Sequence, residues 1–134
     1  MRAPYVEIRN VTRSSIVAGR VSVADTFWTR FLGLMGRPEL EPGEGLWLTG
    51  VNNIHMLFMR FPIDCAFLGP ADVDGPRVVV AVRHRLAPWR GVVWYVRGAA
   101  GVVELPAGSL AKSGTVVGDR LLLTIPGAPV DQRP

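Results

Sequence analysis

One cysteine, one lysine and two histidines occur in these 134 residues, and each scarcity excludes a class of protein. A single thiol, Cys65, cannot close an intramolecular disulfide, and there is no Cys-x-x-Cys pair to hold structural zinc. Charged residues make up only 19% of the chain and apolar ones 49%, which excludes a highly charged, disordered polypeptide. No apolar run approaches the ~20 residues that a membrane-spanning helix requires. The opening residues, MRAPYVEIRNVTRSS, lack the apolar stretch of a secretory signal, so a soluble, cytoplasmic protein is expected.

What is present is compact in its implications. The length suits a single domain, residues 1–134, with a core at about 5–126 and a fraying tail at 127–134. The net charge of +4 comes from arginine, with Lys112 the lone lysine; it permits an anionic partner without requiring one.

Residues 6–12 and 15–24 are rich in β-branched side chains and read as two strands joined at Arg13-Ser14-Ser15. In ADTFWTRFLGLM, Phe27, Phe31 and Leu34 recur at helical spacing, which predicts a helix over Ala24–Met35 that Gly36 and Pro38 end. Further strands are predicted at Leu46–Leu48, Val78–Val82, Val92–Val96, Val102–Pro106 and Arg120–Ile125, with one helical turn within Pro106–Ser113. The expected fold is therefore mainly β (α+β), a small barrel-like antiparallel or mixed β domain with one helix from its first half packed on it.

The chemistry concentrates in VNNIHMLFMRFPIDCAFL, residues 51–68. Read as a hairpin of Asn53–Phe58 and Ile63–Leu68, it separates into two faces. Ile54, Met56, Phe58, Ile63, Cys65 and Phe67 form an apolar face, which makes the thiol packing and not a nucleophile. Asn53, His55, Leu57, Asp64, Ala66 and Leu68 form the other. His55 and Asp64 then become diagonal neighbours about 7 Å apart, a pair that can orient an imidazole. The bland alternative is that Asp64 caps a turn or pairs with Arg60. Glu104, inside the apolar run VVELP, also needs a partner and is the next candidate.

Three functional readings follow. A barrel mouth lined by Asn53, His55 and Asp64, with Glu104 and with Trp89 at its border, suits a non-catalytic module that binds a small molecule or peptide. The alternative is a small hydrolase-like enzyme with His55 as base, oriented by Asp64 or Glu104. The third is nucleic-acid binding, because Arg77–Arg97 carries five arginines and no acid, interleaved with Trp89, Trp94 and Tyr95. Against it, the strand VVWYV should bury Trp94 or Tyr95, and arginines equally protect a sheet edge. No metal or other cofactor is expected: no spacing unites His55, Asp64 and His84, and Arg83 and Arg85 flank the last.

The order RFLGLMGR, NNIHMLFMRFPIDCAFL, Pro88-Trp89, ELPAG and VGD resembles the domain of unknown function 192 family over roughly residues 16–125. The resemblance implies a compact, mainly β domain with no established reaction. Its characteristic positions fall on Gly33, Met35, Asn53, His55, Met59, Pro62, Asp64, Trp89, Glu104, Gly108, Gly118 and Asp119. Met56 stands where the family commonly has Thr, and the Pro70–Gly75 loop is longer than usual.

Overall fold

The computed structural model describes residues 5–24, 39–56, 59–73 and 75–125, with the backbone alone for His55. β-Branched and aromatic residues alternate faces along most of its strands, as a half-buried sheet requires. Strands β1 (Tyr5–Asn10), β2 (Ser15–Ala24), β3 (Glu44–Thr49), β5 (Ile63–Leu68), β6 (Arg77–Leu86), β8 (Gly101–Pro106) and β9 (Arg120–Thr124) close into one barrel. Its order is β1-β2-β3-β8-β5-β6-β9. β2 and β3 run parallel, and the other neighbours are antiparallel. Parallel neighbours need a crossover connection; the helix expected over Ala24–Met35 falls in that connection, outside the described residues except for Ala24, which ends β2. Two-residue strands β4 (Ile54–His55) and β7 (Val92–Val93) pair separately. The helix α1 (Ser109–Ser113) is the expected single turn after Pro106.

The barrel has two apolar layers. Its interior is filled by Ile8, Val21, Trp47, Ala66, Leu68, Val79, Val103, Leu105 and Leu121, with Leu110 of α1 packed against them. The outer faces of β3, β5 and β8 contribute Leu46, Leu48, Ile63, Cys65, Phe67 and Val102 to a second layer. That layer is covered by Ile54, Met56, Met59, Val93 and Val96, from the β4–β7 sheet and the segments around it. We call this covering the cap. Because β5 is buried on both faces, all six residues of IDCAFL are buried, including the acid.

The hairpin expected from residues 53–68 does not form. β5 lies between β6 and β8, whereas β4 pairs with β7, Ile54 opposite Val93 and His55 opposite Val92. Pairing with two strands outcompetes the local turn, since β8 matches every residue of β5 and β6 most of them. The apolar set nevertheless converges: Ile54, Met56, Ile63, Cys65 and Phe67 share the outer layer. Leu57 and Phe58 lie outside the described residues.

Strand boundaries differ elsewhere too. β6 extends past Val82 through Arg83, His84 and Arg85, with Arg85 in the left-handed region at φ 52°. VVWYV pairs only at Val92 and Val93, so Trp94 and Tyr95 are both exposed instead of one facing inward. The tail at 127–134 lies outside the described residues. Among those described, no helix is long and apolar enough to cross a membrane.

Candidate functional site

Asp64 follows Ile63 on β5 and sits opposite Leu105, so its side chain shares the interior face with Ala66 and Leu68. It is fully buried. Its Oδ1 accepts the Arg85 N–H at 3.0 Å, and its Oδ2 accepts the N–H groups of Gly108 and Leu110, each at 3.0 Å. One carboxylate thus ties the end of β6 to the turn that starts α1. A buried anion needs such donors, and backbone amides cannot lose a proton to it or move away. The turn-holding role is the one the geometry assigns to Asp64.

Glu104 faces the other way. It is opposite Cys65 on β5 and Leu46 on β3, both members of the outer layer. It is buried beneath the cap, and no described residue gives it a hydrogen bond or ion pair. Burial pushes its carboxyl up to about 8, so the group is mostly protonated at neutral pH. Burial also pushes the adjacent Cys65 thiol well up, reinforced by Glu104 and Asp64, which leaves a packing thiol with no thiolate character.

The remaining candidates belong to the cap. Asn53 is exposed, with its Nδ2 donating to Asn52 Oδ1 at 3.1 Å. His55 is placed by its backbone in β4. Trp89 follows the Ala87-Pro88 break and is half exposed, with φ 71°, a conformation that costs a bulky residue about 1–2 kcal/mol. Three backbone bonds hold it there: Trp89 N–H to Met56 O at 2.7 Å, Met56 N–H to Gly91 O at 2.8 Å and Gly91 N–H to Ala87 O at 2.9 Å. A side chain on Gly91 would meet Met56 Cγ at 2.8 Å, so only glycine allows the loop to close on β4.

The structure therefore gathers Asn53, His55 and Trp89 in the cap, with Glu104 on the barrel face beneath it. Asp64 is separated from them by the sheet itself. A groove of about 450 Å³ runs elsewhere, between β2 at Ser15–Gly19 and α1, and holds none of the five.

Trp94 and Tyr95 are 83% and 65% exposed. Their neighbours Val93 and Val96 are the buried ones, a spacing of three that strand alternation could not forecast. Arg60, Arg90 and Arg97 are exposed on the same covering segments. Cap segments 51–62 and 87–100 contain no aspartate or glutamate.

Comparison with known proteins places this architecture. A family model described as "Uncharacterized ACR", the domain of unknown function 192, matches residues 8–123. A UPF0127 protein of Thermococcus sibiricus is 37% identical over 122 residues, covering 84% of this chain and 71% of its own. One from Pyrococcus furiosus is 38% identical over 121 residues, covering 84% and 93%. A Sinorhizobium meliloti protein described provisionally as a transcription regulator superposes with TM-score 0.69 at 24% identity, over 92% of this chain and 98% of that one. A Novosphingobium aromaticivorans protein of unknown function gives TM-score 0.70 at 21% identity, over 87% and 82%. These two likenesses are of fold alone. The chain belongs to the domain of unknown function 192 family.

Proposed function

We propose that this protein is a non-catalytic binding module that meets its partner with the cap and not with the barrel mouth. The observation that carries the reading is the adjacent exposed pair Trp94 and Tyr95 on a layer whose other side is sealed by Val93 and Val96. Large exposed aromatics cost solvation, and a patch of them marks an interaction surface. Asn53 and Trp89 stand on the same layer, and His55 belongs to it through β4.

The hydrolase alternative has less to support it. It needs an acid to orient His55, and Asp64 is occupied by three backbone donors on the far face of the sheet. Glu104 is mostly protonated at neutral pH and so is a poor orienting anion.

The test uses three labelled probes: a single-stranded oligonucleotide, an acidic peptide and anionic phospholipid vesicles. At least one should bind the purified protein and be recovered chemically intact. The double variant Trp94→Ala/Tyr95→Ala should weaken that binding at least about tenfold while its melting temperature stays near the parent's. Binding that ignores the double variant, or no binding of any probe at about 100 μM protein, overturns the reading.

A further inference from the structure

The chemistry of the cap points to one class of partner. Trp94 and Tyr95 are consecutive, and both present rings to solvent. Trp89 and Val92 add exposed apolar surface on the same segment. Arg90 and Arg97 bracket this pair in sequence, and Arg60 is exposed on the second covering segment. Arg83, also exposed, lies opposite Cys65 on the outer face that the cap covers. With no acid on either covering segment, the surface is a cationic field set with flat π faces.

We propose that the cap binds single-stranded nucleic acid, with bases stacked on Trp94 and Tyr95 and phosphates held by Arg60, Arg90 and Arg97. This rests on the cap being the binding surface. Single strands offer what this surface complements: unpaired bases with two free faces, spaced along a polyanion. An acidic peptide matches the arginines but leaves the rings without planar partners. An anionic bilayer matches both charges and aromatics, yet among the described residues of the cap Val92 is the one exposed large aliphatic, where a membrane-inserting face needs several. In a duplex the bases are already stacked, so only the arginine contacts remain.

The proposal is tested by fluorescence anisotropy with a labelled 12-mer pyrimidine strand, as DNA and as RNA, against a duplex of the same sequence. Either single strand should bind more tightly than the duplex. Three phosphate contacts predict a slope of log K against log salt of about −2. Arg90→Ala should reduce that slope by about 0.7. Trp94→Ala should weaken binding by roughly tenfold, within the range for one base–aromatic stack, with the slope unchanged. Equal affinity for duplex, salt-insensitive binding, or a Trp94→Ala variant that binds like the parent overturns the proposal. If the acidic peptide or the vesicles bind through Trp94 and Tyr95 while both strands fail, the nucleic-acid assignment falls and the binding-module reading stands. If every probe fails, both fall.

Discussion

At the scale of single residues, the buried acids Asp64 and Glu104 have opposite fates because of one step along the sheet. Asp64 and Cys65 are neighbours in sequence, so they lie on opposite faces, and Glu104 follows the cysteine. Asp64 is satisfied by the Arg85, Gly108 and Leu110 amides. Asp64→Ala should therefore orphan three backbone donors, that of Leu110 buried and those of Arg85 and Gly108 partly so, and cost on the order of 2–4 kcal/mol, a large share of the roughly 5–15 kcal/mol of a small domain. Asp64→Asn retains one acceptor oxygen and should recover part of the loss. Urea denaturation of both variants checks this; an alanine variant within about 1 kcal/mol of the parent removes the structural role. The sequence made the burial of Asp64 and Glu104 legible, since each interrupts an apolar run. It did not show the partners of Asp64, because those are backbone amides 21, 44 and 46 residues away, at the end of β6 and in the α1 turn.

At the scale of elements, the chief correction concerns β4 and β5. A local hairpin was the economical expectation for residues 53–68, and its face assignment is half right: the apolar face exists, assembled by layering and not by pairing. The other face is not a polar pocket, because Ala66 and Leu68 fill the barrel interior. Close packing of the elements also explains Gly101, at the start of β8. A Cβ there would collide with the Trp47 ring and lie 2.7 Å from Leu48 O. Gly101→Ala should thus cost at least about 1–3 kcal/mol through overpacking, measurable by thermal or urea denaturation. A tolerated substitution would mean that the β3–β8 seam can shift. The exposure of Trp94 and Tyr95 belongs to this scale too. Val93 and Val96 anchor a loop after β7, and a continuous five-residue strand would have turned one ring inward.

At the scale of the whole molecule, the barrel is closed at one end by a buried polar network. Asn10 Nδ2 donates to Thr115 Oγ1 and Asp119 Oδ2, and Arg13 Nε donates to the same Asp119 oxygen at 2.7 Å. Burial alone would raise the Asp119 carboxyl, but the hydrogen bonds from Arg13, Asn10 and the Val116 amide outweigh it and hold it below the usual 3.8. Stability from this group is present above 3.8 and is lost as pH falls through the depressed value. Glu104 acts in the opposite sense. Its carboxyl rises from 4.5 to about 8 in the folded state, so the folded protein binds the extra proton between those values. Stability consequently declines as pH rises from about 4.5 to 8, by on the order of a few kcal/mol, and levels off above. Denaturation midpoints across pH 3–9 should peak on the mildly acidic side. Glu104→Gln should flatten the alkaline decline and leave the acid limb in place; an unchanged profile would show that Glu104 is not the titrating group.

Sequence by itself determined the fold class, the two opening strands, the helical turn within Pro106–Ser113 and the burial of Cys65. These depend on alternation, turn chemistry and apolar runs, which act over a few residues. Tertiary structure decided which strands pair, which face each acid takes and which aromatics remain in water. Those outcomes depend on competition among distant segments for β5 and for the outer face of β3 and β8, and no local pattern encodes the winner.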